Sequence, residues 1–152
     1  MAERHNQIKK HLALIIIAMC FFISDRILKI NALNLITKKP LVGDWFIFSL
    51  MKNTNAAFSL TFGFDILWLA SFVIAGIIIW FIISLKQNKL FTACSLLIIL
   101  LGAFSNLYDR IFFGSVIDYL EIFNLNIFNL ADVLIVGGAV LLTTKELKKP
   151  LV

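Results

Sequence analysis

Two stretches of the chain, Ile66 to Leu85 and Leu90 to Tyr108, contain no charged residue at all. An α-helix rises about 1.5 Å per residue and a hydrocarbon core is about 30 Å thick, so roughly 20 apolar residues cross it. Both runs approach or meet that length. Ile127 to Thr144 repeats the pattern with Asp132 as its one charge, and Leu12 to Ile30 repeats it with Asp25, Arg26 and Lys29 near its far end. The whole chain is 61 % hydrophobic and 15 % charged, against about 45–50 % and about 25 % in a soluble domain. The expected architecture is an all-α membrane protein of one domain, with four transmembrane helices at about 12–30, 66–85, 90–108 and 127–144.

Lys9 and Lys10 precede the first run as they would in a cleavable signal peptide, but no small-residue cleavage site follows. The run continues into Asp25-Arg26-Ile27-Leu28-Lys29, so it is expected to stay as a span. With the N-terminus inside, the inner flanks hold eight Lys/Arg (Arg4, Lys9, Lys10, Lys86, Lys89, Lys145, Lys148, Lys149). The outer ones hold six (Arg26, Lys29, Lys38, Lys39, Lys52, Arg110). The excess predicts both termini on the cytoplasmic side. The basic residues sit in short groups between apolar runs rather than on one patch, which argues against nucleic acid despite a net charge of +5. Cys20 and Cys94 lie within apolar runs and read as packing residues.

This topology puts the connection at 31–65 and that between spans three and four on one, outer side. Within the first, Leu41 to Leu50 is rich in aromatic and β-branched residues, a strand-like composition. A single outer site can then collect Asn53, Asp109, Arg110, Asp118, Asn129 and Asp132. Asp132 alone reads equally well as an acid favoured by its helix N-terminus. Asp109-Arg110 can be an interfacial ion pair and Asn53 a turn residue. Together, however, Asp109, Asp118 and Asp132 supply carboxylates at one interface. Two carboxylates held close do not both ionise easily, so one keeps a proton and the pair offers an acid beside a base. His5 and His11 both lie in the inner tail, so a Ser-His-Asp arrangement has no histidine on the outer side. There is no H-E-x-x-H zinc motif, and no metal or other cofactor is expected. A small transporter or channel subunit using the acids as an ion path is the alternative; it expects acids through the membrane rather than at one face.

The stretch Ser105-Asn106-Leu107-Tyr108-Asp109-Arg110, followed by Gly114-Ser115-Val116-Ile117-Asp118-Tyr119, resembles the lipoprotein signal peptidase (signal peptidase II) signature G-N-x-x-D-R-x-x-x-G-x-V-x-D-[FY]. Phe128-Asn129-Leu130-Ala131-Asp132 resembles that family's F-N-x-A-D. Lys52-Asn53-Thr54-Asn55-Ala56-Ala57-Phe58-Ser59 is similar to its R-N-x-G-A-A-F-S, and Asp25 to Lys29 to its D-Q-x-x-K. Four blocks in family order span nearly the whole chain. The resemblance implies an aspartic endopeptidase of the bacterial cytoplasmic (inner) membrane, with its active site at the extracytoplasmic face. It would cleave diacylglyceryl-modified prolipoproteins just before the lipidated cysteine. Asp118 and Asp132 match the catalytic aspartates. Asn53, Asn106, Asp109, Arg110 and Asn129 match residues that bind substrate or brace the site, and Asp25 matches a structural position. A small β-rich extracytoplasmic cradle, contact with membrane lipid and inhibition by the cyclic peptide globomycin are further implications. Ser105 and Asn55 stand where the family usually has glycine, and Lys52 where it has arginine.

Overall fold

The structure, a computed structural model, describes residues 2–54, 66–123 and 125–147. Asn55, one of the departures from the family pattern, lies outside the described residues. In chain order the elements are α1 (Ala2–Leu33), β1 (Lys39–Val42), β2 (Phe46–Asn53), α2 (Ile66–Lys86), α3 (Leu90–Phe113), β3 (Val116–Ile122), β4 (Asn126–Phe128) and α4 (Leu130–Leu147). Among the described residues, three segments are long and apolar enough to cross a bilayer: His11–Leu33, Leu67–Lys86 and Leu90–Phe113. The apolar part of α4, Leu130–Thr144, is shorter.

The helices follow from the apolar runs, and their partition follows from which faces are buried. α3 packs against α1, α2 and α4 and is mostly buried, whereas α1 and α2 turn most of their apolar residues outward. Ile16, Trp68, Phe72 and Ile79 are all exposed, as side chains facing lipid would be. Cys94 is buried as expected, but Cys20 is on an outward face.

α3 and α4 approach closely because small residues line their contact. A methyl group built on Gly102 would overlap the carbonyl oxygen of Ala131, and one on Gly138 would lie 2.6 Å from Ile99 Cγ1. Between apolar helices, packing of this kind substitutes for the hydrophobic drive that is absent in lipid. The Gly102 contact falls on the first turn of α4, next to Asp132.

The polar half is a four-stranded antiparallel sheet in the order β1-β2-β3-β4. The strand-like run at 41–50 does supply β1 and β2, but β3 and β4 come from the second connection. The helix expected as a fourth span from Ile127 therefore starts late: Asn126–Phe128 is strand, and the helix begins only at Leu130. Short, β-branched Val-Ile-Asp-Tyr-Leu-Glu-Ile is buried on both faces, so no polar alternation marks it as strand. Conversely, α3 runs on beyond Tyr108 to Phe113, which places Asp109 and Arg110 within the helix. It stops at Gly114, whose left-handed backbone (φ 69°) is accessible to glycine at little cost and whose N–H caps the carbonyl of Arg110.

The register of β2 on β3 contains a bulge. Phe48 pairs with Leu120 but Met51 pairs with Asp118, so β2 carries one residue more than β3 between the two pairs. An unbroken register would set Leu50 opposite Asp118 and bring Lys52 onto its face. The extra residue reverses the alternation and brings Asn53 there instead.

Gly102→Ala forces the start of α4 away from α3 and should lower thermal stability in detergent by about 1–3 kcal/mol, the usual cost of overpacking. Gly76→Ala, where a methyl group meets nothing within 4 Å, should leave it unchanged or raise it slightly. Melting curves of the two variants compare them directly.

Candidate active site

α4 opens on a reciprocal cap. The side-chain oxygen of Asn129 accepts the backbone N–H of Asp132 at 2.9 Å, and Asp132 Oδ2 accepts the backbone N–H of Asn129 at 3.3 Å. This is the capping-box arrangement with aspartate in the acidic position. The helix-terminus reading of Asp132 thus holds for one carboxylate oxygen. Its other oxygen, Oδ1, accepts the side-chain amide of Asn106 on α3 at 2.8 Å.

Asp118, on β3, is 2 % exposed. Its Oδ1 accepts the amide of Asn129 at 2.6 Å and its Oδ2 the amide of Asn53 at 3.1 Å. Asn53 is thus the last residue of β2 and a donor to Asp118. Asn129 stands between the two aspartates, capping one and bonding the other. The amide of Asn129 also reaches the oxygen of Asn106 at 3.2 Å, which closes a ring of three residues, Asn106, Asn129 and Asp132, with Asp118 joined to it through Asn129.

Burial pushes the Asp118 carboxyl up to about 6. The Asn53 and Asn129 amides pull the other way, and the neighbouring charge of Asp132 adds to the rise. Asp118 therefore gains or loses its proton close to neutrality. Tyr119, on the opposite face of β3, is raised by burial and by the charge of Asp25, so it stays a phenol and a donor.

Behind this ring lies a second layer of four charges. Asp109 accepts Arg26 Nη1 at 2.6 Å and Lys29 Nζ at 2.7 Å, and its Oδ2 also accepts the backbone N–H of Ile117 at 3.2 Å. Asp25 pairs with Lys29 at 3.1 Å and accepts Ser105 Oγ at 2.6 Å, Tyr119 Oη at 2.9 Å and the backbone N–H of Ala131 at 3.2 Å. The alternative reading of Asp109-Arg110 as an ion pair is therefore not the pairing formed: three and four residues along one helix face from Asn106, Asp109 and Arg110 split their tasks. Asp109 turns to α1, while half-buried Arg110 forms no ion pair among the described residues and brings its charge to bear on Asp132, Asp118 and Asp109.

Lys29, Arg26 and Tyr119 receive no role from the sequence, although all three stand inside the family-like blocks. The signal that could have found them is a charge pair at i, i+4 inside an apolar run, Asp25 and Lys29, which a helix places on one face. Ser105, where the family usually has glycine, contributes a hydroxyl to Asp25 and accepts Arg26 Nη1 at 3.2 Å. Among the described residues, no group of three or more His, Cys, Asp or Glu side chains is arranged to hold a metal ion.

The family model described as Signal peptidase (SPase) II matches residues 17–148. The chain belongs to the signal peptidase II family. Relatives bear this out across distant bacteria. The lipoprotein signal peptidase of Mycolicibacterium smegmatis is 33 % identical, covering 96 % of this chain and 66 % of that protein. Those of Clostridium novyi and Caldicellulosiruptor bescii are 31 % and 32 % identical, covering 84 % and 88 % of this chain and 93 % and 90 % of theirs. A bacterial membrane enzyme solved by the in meso method at 2.3 Å resolution shares the fold, with a TM-score of 0.75 at 21 % identity over 92 % of this chain and 93 % of that one. The helices and sheet that carry the two aspartates thus belong to a signal peptidase II chain that is also a bacterial membrane protein.

The raised carboxyl of Asp118 has a sign that can be measured. A native carboxyl titrating above its unfolded value contributes stability that is fully present below the unfolded value and lost as pH rises through the native one. Asp118 should therefore cost the folded state on the order of 3 kcal/mol above pH ~6, because each pH unit separating the native from the unfolded titration is worth about 1.36 kcal/mol. Asp118→Asn should flatten the fall in melting temperature between pH 5 and pH 7.5 relative to wild type, a difference read by thermal unfolding in detergent at the two pH values.

Proposed function

We propose that the protein is an aspartic endopeptidase that removes signal peptides from diacylglyceryl-modified prolipoproteins, cutting just before the lipidated cysteine. Asp118 and Asp132 form its catalytic pair. The observation that carries this reading is that two carboxylates from different elements share Asn129 as a common bonding partner, one of them pushed up to about 6. The membership in signal peptidase II, whose named relatives are lipoprotein signal peptidases, supports the substrate class. The ion-path alternative draws no support from either.

The chemistry follows from one shared proton. The ionised carboxylate takes a proton from water as its oxygen adds to the scissile carbonyl carbon, and the protonated partner gives its proton to the carbonyl oxygen. The resulting gem-diol collapses, the C–N bond breaks, and the proton gained from water passes to the leaving amine. In the same collapse one hydroxyl of the gem-diol returns its proton to the partner, which leaves a carboxylic acid and restores the starting state of the pair. Asn53, Asn106 and Asn129 hold the two carboxylates in place by donation, and Arg110 offsets their charge. As in other coupled pairs, the two groups titrate together.

In this reading all four helices cross the inner membrane, both termini are cytoplasmic and the sheet forms an extracytoplasmic cradle beside the pair. Globomycin-type cyclic peptides would compete with the prolipoprotein there, and the exposed apolar faces of α1 and α2 would meet membrane lipid.

Asp118→Asn and Asp132→Asn should each reduce cleavage of a diacylglyceryl prolipoprotein by at least ~10³-fold, the scale on which loss of a general acid or base is felt, while the protein still inserts. The pair needs one proton, so activity should fall as pH rises past its upper titration. Asn53→Ala withdraws a donor that favours the ionised form of Asp118, so it should slow turnover and move this alkaline limb to higher pH. Gel-shift assays across pH 5 to 9 measure both; substantial turnover by either asparagine variant excludes the pair.

Sidedness is testable by cysteine labelling in a background lacking Cys20 and Cys94. Glu121 is unsuitable as an outer position, because its side chain is buried against Lys38. Ile36, 96 % exposed beside β1, is a better one. Ile36→Cys should react with an impermeant maleimide on spheroplasts and Asn88→Cys, in the α2–α3 turn, should not; the reverse pattern puts the pair on the cytoplasmic side.

A further inference from the structure

Lys29 is 0 % exposed and its ammonium is enclosed by Asp25, Asp109, Ser105 and Asn106. Its simplest role is that of counter-ion. With Arg26 it balances Asp25 and Asp109, so the buried group of four is neutral. A counter-ion to two carboxylates needs two N–H groups, however, and an ammonium has three. The third is directed at a neutral atom, Asn106 Oδ1, at 2.8 Å, closer than the 3.1 Å contact to Asp25.

That third bond has a consequence for the aspartate pair. A carboxamide can turn over and exchange its oxygen and nitrogen with little change in shape. With Lys29 present, the turned form of Asn106 would set an NH₂ group against an ammonium, with no acceptor between them. The oxygen must face Lys29, and the NH₂ must face Asp132 Oδ1, where it lies at 2.8 Å. Asn129 is oriented independently, because its oxygen is occupied by the backbone N–H of Asp132. Its NH₂ then faces Asp118 and the Asn106 oxygen. Each amide thus presents its donor to one carboxylate, Asn106 to Asp132 and Asn129 to Asp118, and the direction of the Asn106 amide is set by Lys29 at 2.8 Å with the Asn129 NH₂ at 3.2 Å in support.

We propose that Lys29 is a positioning residue for the reaction, which fixes the polarity of the Asn106 carboxamide so that it donates to Asp132. Asp25, Asp109 and Ser105 hold the ammonium in place for this purpose. The proposal rests on the reading of Asp118 and Asp132 as the catalytic pair. Without Lys29, only the Asn129 amide at 3.2 Å still holds the Asn106 oxygen, and Asn106 more readily turns its carbonyl oxygen to Asp132, where two acceptors face each other and the carboxylate loses a donor.

The test separates positioning from charge balance. Lys29→Met/Asp25→Asn removes one positive and one negative charge together, leaving the Arg26–Asp109 pair matched. This double variant should insert and bind a diacylglyceryl prolipoprotein with KM within threefold of wild type, while kcat falls at least tenfold. Lys29→Gln/Asp25→Asn, which keeps a neutral donor at the position, should recover part of that loss. Adding Asn106→Ala to the methionine pair should cost no further activity beyond Asn106→Ala itself, since the lysine acts through that amide. Wild-type kcat in the methionine pair, equal rates for methionine and glutamine, or fully multiplicative losses would each overturn the proposal. Failure of these variants to fold would leave a direct measurement on the wild-type protein. Solid-state NMR distances from Lys29 Nζ to Asn106 Cγ and Nδ2 should place the oxygen, not the nitrogen, nearest the ammonium, and the opposite order overturns the proposal. Turnover by Asp118→Asn or Asp132→Asn would instead sink the catalytic pair, an outcome to which the NMR distances are indifferent.

Discussion

Four charges buried between apolar helices must be satisfied together or not at all. Asp25, Arg26, Lys29 and Asp109 form such a set, with the carboxylates and the lysine closed off from solvent. Losing one member strands another, at a cost of about 3–5 kcal/mol for a buried pair. That constraint explains why α1, α3, β3 and α4 meet where they do. Asp25 alone takes bonds from Lys29 on its own helix, Ser105 on α3, Tyr119 on β3 and the backbone of Ala131 on α4. The apolar faces bring the helices together, but apolar contact is tolerant of sliding. Directional bonds to a buried carboxylate are not, and they set the height at which the helices and the sheet engage.

The aspartate pair inherits its geometry from this frame. Asp132 is placed by the capping box and by the close passage of α4 over Gly102. Asp118 is placed by β3, whose start is tied to Asp109 through the N–H of Ile117. Two carboxylates near one another repel when ionised, and burial adds to the penalty; the asparagine donors reduce it without adding a positive charge that would quench the acid. The balance leaves Asp118 near 6, close to the range in which a general acid and a general base coexist at neutral pH. A lysine placed in direct contact would drive both groups to the carboxylate form. Set one residue back, behind Asn106, the lysine favours the ionised form of Asp118 less than burial opposes it, and the carboxyl stays near 6.

Much of this is legible in the amino-acid sequence. The uncharged runs announce the helices, and the aromatic, β-branched stretch at 41–50 announces strand. The blocks around Asn53, Asn106, Asp109, Asp118, Asn129 and Asp132 announce the residues at the site. Strand β3 is not legible, because a strand buried on both faces shows no alternation, and Val-Ile-Asp-Tyr-Leu-Glu-Ile reads equally as a short connector. The partner of Asp109 is not legible either: adjacency in sequence favours Arg110, but adjacent helical residues point about 100° apart, and the partners come from another helix.

By itself, then, the sequence determined what the medium must be and which residue types the proposed chemistry rests on, since both depend on local runs and short motifs. The apolar length of a segment and a short motif such as Phe-Asn-Leu-Ala-Asp need no distant partner to be read. Only the tertiary structure decided which charges pair, that Asn53 rather than Lys52 faces Asp118, and that Lys29 stands behind Asn106. Those outcomes depend on a one-residue bulge and on contacts between residues as much as 106 positions apart, as between Asp25 and Ala131. Such contacts are set by packing among whole elements, and no local stretch of chain encodes them.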